Sequence, residues 1–332
     1  MTELGRTNSL PRVMLVSCLI LLLLRALVIC YGTYFPPKRT QDLLVWQQPK
    51  PIEPNRKDLL STPTLYYFCD EKNLLGIVLT NLFENTLFNN RDVVELIRNN
   101  FIPVKVERQE NAPHQLFDDL SQKFSCEVFP CMVVTLSNGT KVSYTSWQSD
   151  RMLIAILKDA LSQCSLSAAQ EAMLKGNFGL ACQAFAKIKS EKSDLRWTLS
   201  DDRLANTIHW FFALKHERRE KEAAAVLGET LSVWLNRFPN HERIWPIPCL
   251  RYLAGQVSID DVLKETDQYG GPLVTAHYVI GVQSELNGDL ETARKHLRLA
   301  VAKKQDEDRD DYKLARAELR LMGEAVPSSE GD

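Results

Sequence analysis

The residues of this chain best suited to chemistry are its eight cysteines: Cys18, Cys30, Cys69, Cys126, Cys131, Cys164, Cys182 and Cys249, with no C-x-x-C among them. Thiol–disulfide exchange needs an accessible thiolate of lowered pKa and a second thiol within reach. Cys126 and Cys131 come nearest to that: they flank Phe129-Pro130 in "CEVFPC" and could form a disulfide if the loop folds back. Cys69 ends an apolar run that would reach the same rim. Scattered single cysteines otherwise serve as small buried hydrophobes. No cysteine spacing resembles a zinc site, and the six histidines stand singly, so neither a metal nor a cofactor is expected. His209 and His216 have no Ser, Cys or paired acid at helical spacing, and no catalytic residue is assigned.

The elements that must position these residues follow from the pattern around them. "MVVTL" (132–136), "NG" (138–139) and "TKVSY" (140–144) read as a β-hairpin around a two-residue turn. Asn138-Gly139-Thr140 is also a glycosylation sequon, but the pair is more simply a turn signal. Upstream, "TLYYFC" (64–69) and "FIPVKVE" (101–107) read as strands, and a segment over 77–85 follows the first. Val93, Val94 and Ile97 share one face of a helix over 92–98. Leu116, Leu120 and Phe124 share another over 114–124, and a last helix is expected over 149–161.

"ENTLFNNRDVVELIRNNFIPVKVERQE" (84–110), with Phe129-Pro130 and the hairpin behind it, resembles the thioredoxin-like families over residues 62 to 163. The resemblance implies that Pro130 is cis and faces the position of the redox pair, just upstream of the 84–98 segment. Ile77, Val78, Leu79 and Thr80 occupy that position here, and no cysteine lies between Cys69 and Cys126. The redox pair is absent. In this respect the domain is similar to thioredoxin-like domains of the UAS type, which act as binding modules.

From Ser165 onward helical periodicity is nearly continuous. Within "AAQEAMLKGNFGLACQAFAKI" stand Ala169, Gly176, Ala181, Phe185 and Ile188; within "IGVQSELNGDLETARKHLRLA", Gly281, Gly288, Ala293, Leu297 and Ala300 recur at the same intervals. Small residues let paired helices approach, and a larger one fills the groove between them. The pattern resembles the tetratricopeptide repeat. "WFFALKHERREKEAAAVLGETLSVWLNRFP" (210–239) fits a degenerate helix pair without a turn glycine, and its Trp210, Phe211 and Phe212 read as core. Ser258 with Asp261 gives a capping-box-like helix start. Tyr312, Ala315, Leu319 and Met322 form the stripe of a closing helix. Three or four helix pairs are expected over 165–325, then a disordered tail at 326–332.

Ahead of both halves, after a short tail (1–12), Val13 to Tyr31 is an apolar run broken only by Ser17 and Arg25. At ~1.5 Å per residue it spans ~28 Å, close to a bilayer's ~30 Å hydrocarbon core. Its exit, Ile29-Cys30-Tyr31-Gly32, does not suit signal cleavage, so an uncleaved signal anchor is expected, with Arg25 snorkelling. Flanking charge is nearly balanced; the expected arrangement is a single-pass protein with its bulk on the non-cytoplasmic side. A proline-rich linker (32–61) follows, whose apolar "LLVW" (43–46) could dock onto a neighbour. Net charge is −2 with mixed signs and no basic block, which argues against a nucleic-acid partner.

The sequence thus reads as an α/β thioredoxin-like domain followed by an all-α, tetratricopeptide-like solenoid, behind an N-terminal transmembrane helix. The expected function is non-enzymatic: a redox-inactive, membrane-anchored scaffold that binds proteins or peptides. The alternatives are an atypical thiol–disulfide oxidoreductase or redox sensor using Cys69, Cys126 or Cys131, and a complex subunit in which Arg25 acts within the membrane.

Overall fold

The computed structural model describes residues 44–49, 62–72, 74–108, 115–136, 138–146, 148–191, 201–239, 244–269, 272–302 and 306–326. The anchor at 13–31, nearly all of the linker and the tail beyond Val326 lie outside them. The chain divides into two compact units, the first running to Leu161 and the second from Ser162 onward.

In the first unit the order is β1 (Thr64–Asp70), α1 (Leu74–Leu87), α2 (Arg91–Asn100), β2 (Ile102–Arg108), α3 (Gln115–Lys123), β3 (Cys131–Thr135), β4 (Lys141–Thr145) and the start of α4 (Asp150–Leu174). The sheet order is β2-β1-β3-β4, with β1 and β2 parallel and the other pairings antiparallel. Strand β1 is central and buried on both faces, which is why "TLYYFCD" has no polar alternation. Tyr66 and Phe68 pack on one face with Val104, Val106, Phe117, Leu120 and Phe124. On the other face Tyr67 stacks on Phe83 and meets Phe88 edge-on.

Helix α2 starts where the Asn90 side chain accepts hydrogen bonds from the backbone N–H of Asp92 and Val93. Part of the expected linker docks as well. Gln47 forms a parallel bridge with Val104 at the outer edge of β2, and Trp46 packs on Tyr67 and Phe88. An edge strand is thereby covered over part of its length.

Two expectations are corrected here. The hairpin has a three-residue connection rather than a two-residue turn: Gly139 N–H donates to Leu136 O, and Gly139 sits at φ 82°. A left-handed residue closing such a turn realigns the strands, which favours glycine. The helix expected to stop at 161 instead runs unbroken to Leu174, because "SQCSLSAAQEAML" contains no helix breaker. Helix α4 is long and apolar enough to cross a membrane by length and composition. Yet Lys158 and Asp159 interrupt it, and Leu153, Leu157, Ala160, Ala169 and Ala172 are buried in protein.

The second unit contains only helices among its described residues: the end of α4, then α5 (Phe178–Glu191), α6 (Asp201–His216), α7 (Glu220–Arg237), α8 (Ile247–Leu253), α9 (Ile259–Tyr269), α10 (Leu273–Leu286), α11 (Leu290–Ala300) and α12 (Asp310–Leu321). Ser258 and Asp261 cap α9 reciprocally: Asp261 N–H donates to Ser258 Oγ, and Ser258 N–H donates to Asp261 Oδ2.

One turn geometry recurs five times among the described residues of this unit, and Ser125 closes α3 of the first unit in the same way. At Gly176, Arg218, Gly255, Gly288 and Gly323 the residue has positive φ and its N–H bonds three residues back. The next N–H bonds five residues back, as at Asn177 to Ala172 and Asp289 to Ser284. This is the Schellman closure of a helix end. Arg218, at φ 58°, takes the place that glycine fills in the other four. The helix pair that lacked a turn glycine therefore ends like the rest.

Helices α10 and α11 meet through Gly281. A Cβ there would lie 2.6 Å from Leu297 Cγ, so this approach is closed to any other residue without a shift. Ala169, Ala181, Phe185, Ala293, Leu297 and Ala300 are all buried.

Candidate functional site

At one end of the sheet of the first unit, the Phe129–Pro130 peptide bond is cis, and Pro130 and Cys131 are buried where β3 begins. Phe129 rests against Phe117, its ring 5.1 Å away. Ile77, Val78, Leu79 and Thr80 all lie within α1. Ile77 is exposed, while Thr80 is buried with its hydroxyl unpartnered. None of the four offers a nucleophile of use in disulfide exchange.

Cys126 and Cys131 are free thiols in the structure, not a disulfide, yet they form a side-chain hydrogen bond. That bond holds the Cys126 thiol below its usual range against the opposing effect of burial, with Lys141 assisting, and pushes Cys131 up. Lys141 Nζ is itself anchored on Phe124 O at 2.7 Å. Cys69 is fully buried; desolvation raises its pKa, and its thiol donates to Val106 O at 3.8 Å. It has none of the exposure that thiol exchange requires.

In the second unit an open groove of about 560 Å³ lies among α6, α7, α8 and α10. Phe211, Leu227, Leu231, Leu235 and Leu253 supply its apolar lining. Gly228 also lines it, and a Cβ at that position would meet no atom within 4 Å. Lys215 and Glu220 pair at 2.5 Å on its border. Gln283 donates to Asn287 Oδ1 at 3.2 Å, but its carbonyl oxygen is buried and receives no hydrogen bond. Phe211 thus belongs to both core and groove, whereas Phe212 is core alone.

Although no acid stands at helical spacing from them, the structure gives His209 and His216 acidic partners from a distant helix. His209 Nε2–H donates to Asp311 Oδ1 at 2.9 Å, and Thr275 Oγ1–H donates to the other oxygen of the same carboxylate. Burial would raise the pKa of Asp311, but the His209 and Thr275 hydrogen bonds bring it below the usual range. His216 lies 3.5 Å from Glu318 and stacks flat on Phe178. Burial, with Glu318 nearby, pushes Glu285 up to about 7, although His216 opposes the shift. Helices α6, α10 and α12 therefore meet along a polar seam. One layer is His209, Thr275 and Asp311; the other is His216, Glu285 and Glu318. The partners of His209 and His216 are about a hundred residues away in sequence, beyond the reach of any helical-spacing rule. The buried Cys249 stands beside the first layer, where burial and then the Asp311 carboxylate raise its pKa and keep the thiol protonated.

Compared with protein-family models, curated proteins and solved structures, the chain matches none of them.

Proposed function

We propose that this chain is a membrane-anchored scaffold: a thioredoxin-like module without its redox pair, joined to a tetratricopeptide-like array that holds a polypeptide partner. The observation that carries the reading is the groove of the second unit. Its lining sets the apolar Phe211, Leu227, Leu231, Leu235 and Leu253 beside the polar side chains of Lys215, Glu220, Ser232, Gln256 and Gln283. A peptide supplies both complements, namely apolar side chains and backbone N–H groups. The anchor at 13–31 would hold this surface at a membrane.

The test uses the full chain in membranes with a photo-crosslinking residue at Ser232, in the groove, or at Lys264, away from it. Capture of a polypeptide from Ser232 alone, erased by Leu231→Asp, is the expected result. Equal capture from both positions, or capture indifferent to Leu231→Asp, overturns the reading.

A second reading draws on the Cys126–Cys131 contact. A thiol of lowered pKa beside a second thiol meets the minimum for exchange with a partner's disulfide. Insulin reduction by the full chain that is abolished by Cys126→Ser would promote this reading over the scaffold.

A further inference from the structure

The parallel register of β1 and β2 sets Tyr67 beside Lys105 and Cys69 beside Glu107. Residues two apart share a sheet face, so Tyr67, Cys69, Lys105 and Glu107 all stand on one side. Glu71, just past β1, is fixed there by its N–H bond to Arg108 O at 3.1 Å. The Cys69 sulfur and one carboxylate oxygen each from Glu71 and Glu107 lie within 4.8 Å of one another. Lys105 Nζ meets Glu107 at 2.6 Å and Glu84 of α1 at 3.1 Å. Three carboxylates thus face one ammonium.

A second observation concerns Tyr67. It is fully buried, its ring held by Trp46, Phe83 and Phe88, and its hydroxyl lacks a partner at full hydrogen-bond geometry, Glu84 being the side chain nearest to supplying one. The groups that act on that hydroxyl are Glu84, Cys69 and Glu71. It is a rigidly aimed oxygen on the inner side of the cluster.

We propose that Cys69, Glu71 and Glu107 bind a divalent cation of zinc-like character, with Tyr67 and Glu84 closing the inner side. One sulfur and two carboxylate oxygens form a mixed donor set that suits a borderline ion such as zinc better than magnesium or calcium. Ligands at about 2.0–2.3 Å from zinc stand roughly 3.3–3.8 Å apart in a tetrahedron, so the three need to draw in by at most about 1.5 Å. Glu71 and Glu107 carry flexible side chains that can make this adjustment. The ion cancels the excess negative charge, and Lys105 is its competitor for Glu107.

Cobalt(II) titration of the full chain tests the site, because thiolate ligation adds a charge-transfer band in the near ultraviolet. The expected result is a band that saturates, is displaced by zinc, and disappears in Cys69→Ser but persists in Cys126→Ser. Glu107→Gln, which keeps the side chain's size and removes its charge, should weaken cobalt binding about tenfold or more, whereas Lys105→Met should tighten it. No band in the wild-type chain, a band that survives in a folded Cys69→Ser, or unchanged affinity in Glu107→Gln overturns the site.

Discussion

Replacing Gly281 and Gly228 separately by alanine should have opposite effects, although both glycines lie inside helices. In an open helix the change gains about 0.5–1 kcal/mol, because alanine loses less backbone entropy. At Gly228, in α7, nothing lies within 4 Å of the new methyl, so that gain is expected in full. At Gly281, in α10, the methyl would sit 2.6 Å from Leu297 Cγ, 2.8 Å from its Cδ2 and 3.2 Å from its backbone nitrogen. The leucine tip can rotate, but the nitrogen moves only if α11 moves. Overpacking of this kind costs about 1–3 kcal/mol, which leaves Gly281→Ala about 0.5–2 kcal/mol less stable after the propensity gain. Urea unfolding of the full chain, followed by its helical signal, reads both changes as midpoint shifts at constant slope. Adding Leu297→Ala to Gly281→Ala should cost less than Leu297→Ala alone, because the two sites are in contact. A Gly281→Ala protein as stable as wild type, or two single variants shifted in the same direction, would refute the close α10–α11 approach.

Two further outcomes follow from other helix ends and from the polar seam. Arg218→Gly should raise stability by about 1 kcal/mol in the same unfolding assay, since only a non-glycine residue strains at φ 58°; a loss would mean that the arginine side chain contributes more than the strain costs. Glu285→Gln should change how stability depends on pH. The folded state holds the Glu285 proton up to about 7 against an ordinary value of 4.5, so its favourable contribution is complete below about 4.5 and lost as pH rises through 7. Full linkage would amount to about 3 kcal/mol, which partial solvation reduces to roughly 1–2 kcal/mol. The glutamine variant should therefore match wild type near pH 4.5 and exceed it by that amount at pH 8; parallel pH profiles would count against a buried Glu285.

Much of the local architecture was legible in the sequence alone because its causes are local. The Val93, Val94 and Ile97 stripe, the Ser258–Asp261 box, and the glycines at 176 and 288 each act within about one helical turn. Spacing along the chain therefore specifies them. Helix α4 runs past 161 because no breaker stands there; the first one along the chain is Gly176, which closes α4 after Leu174. Arg218 shows that a turn can keep its geometry after losing its signature residue, once the helices on both sides are fixed by packing. Apart from the Cys126–Cys131 pair, which the spacing around Pro130 already suggests, the chemical character came from the tertiary structure. The His209–Asp311 contact, the groove floored by Gln283, and the meeting of Cys69 with Glu107 each join residues from separate elements. In a strand pair the partner is chosen by register, and in a helical array by which faces pack. Neither is written in the spacing of residues along the chain, because both depend on burying apolar surface that only the assembled fold brings together.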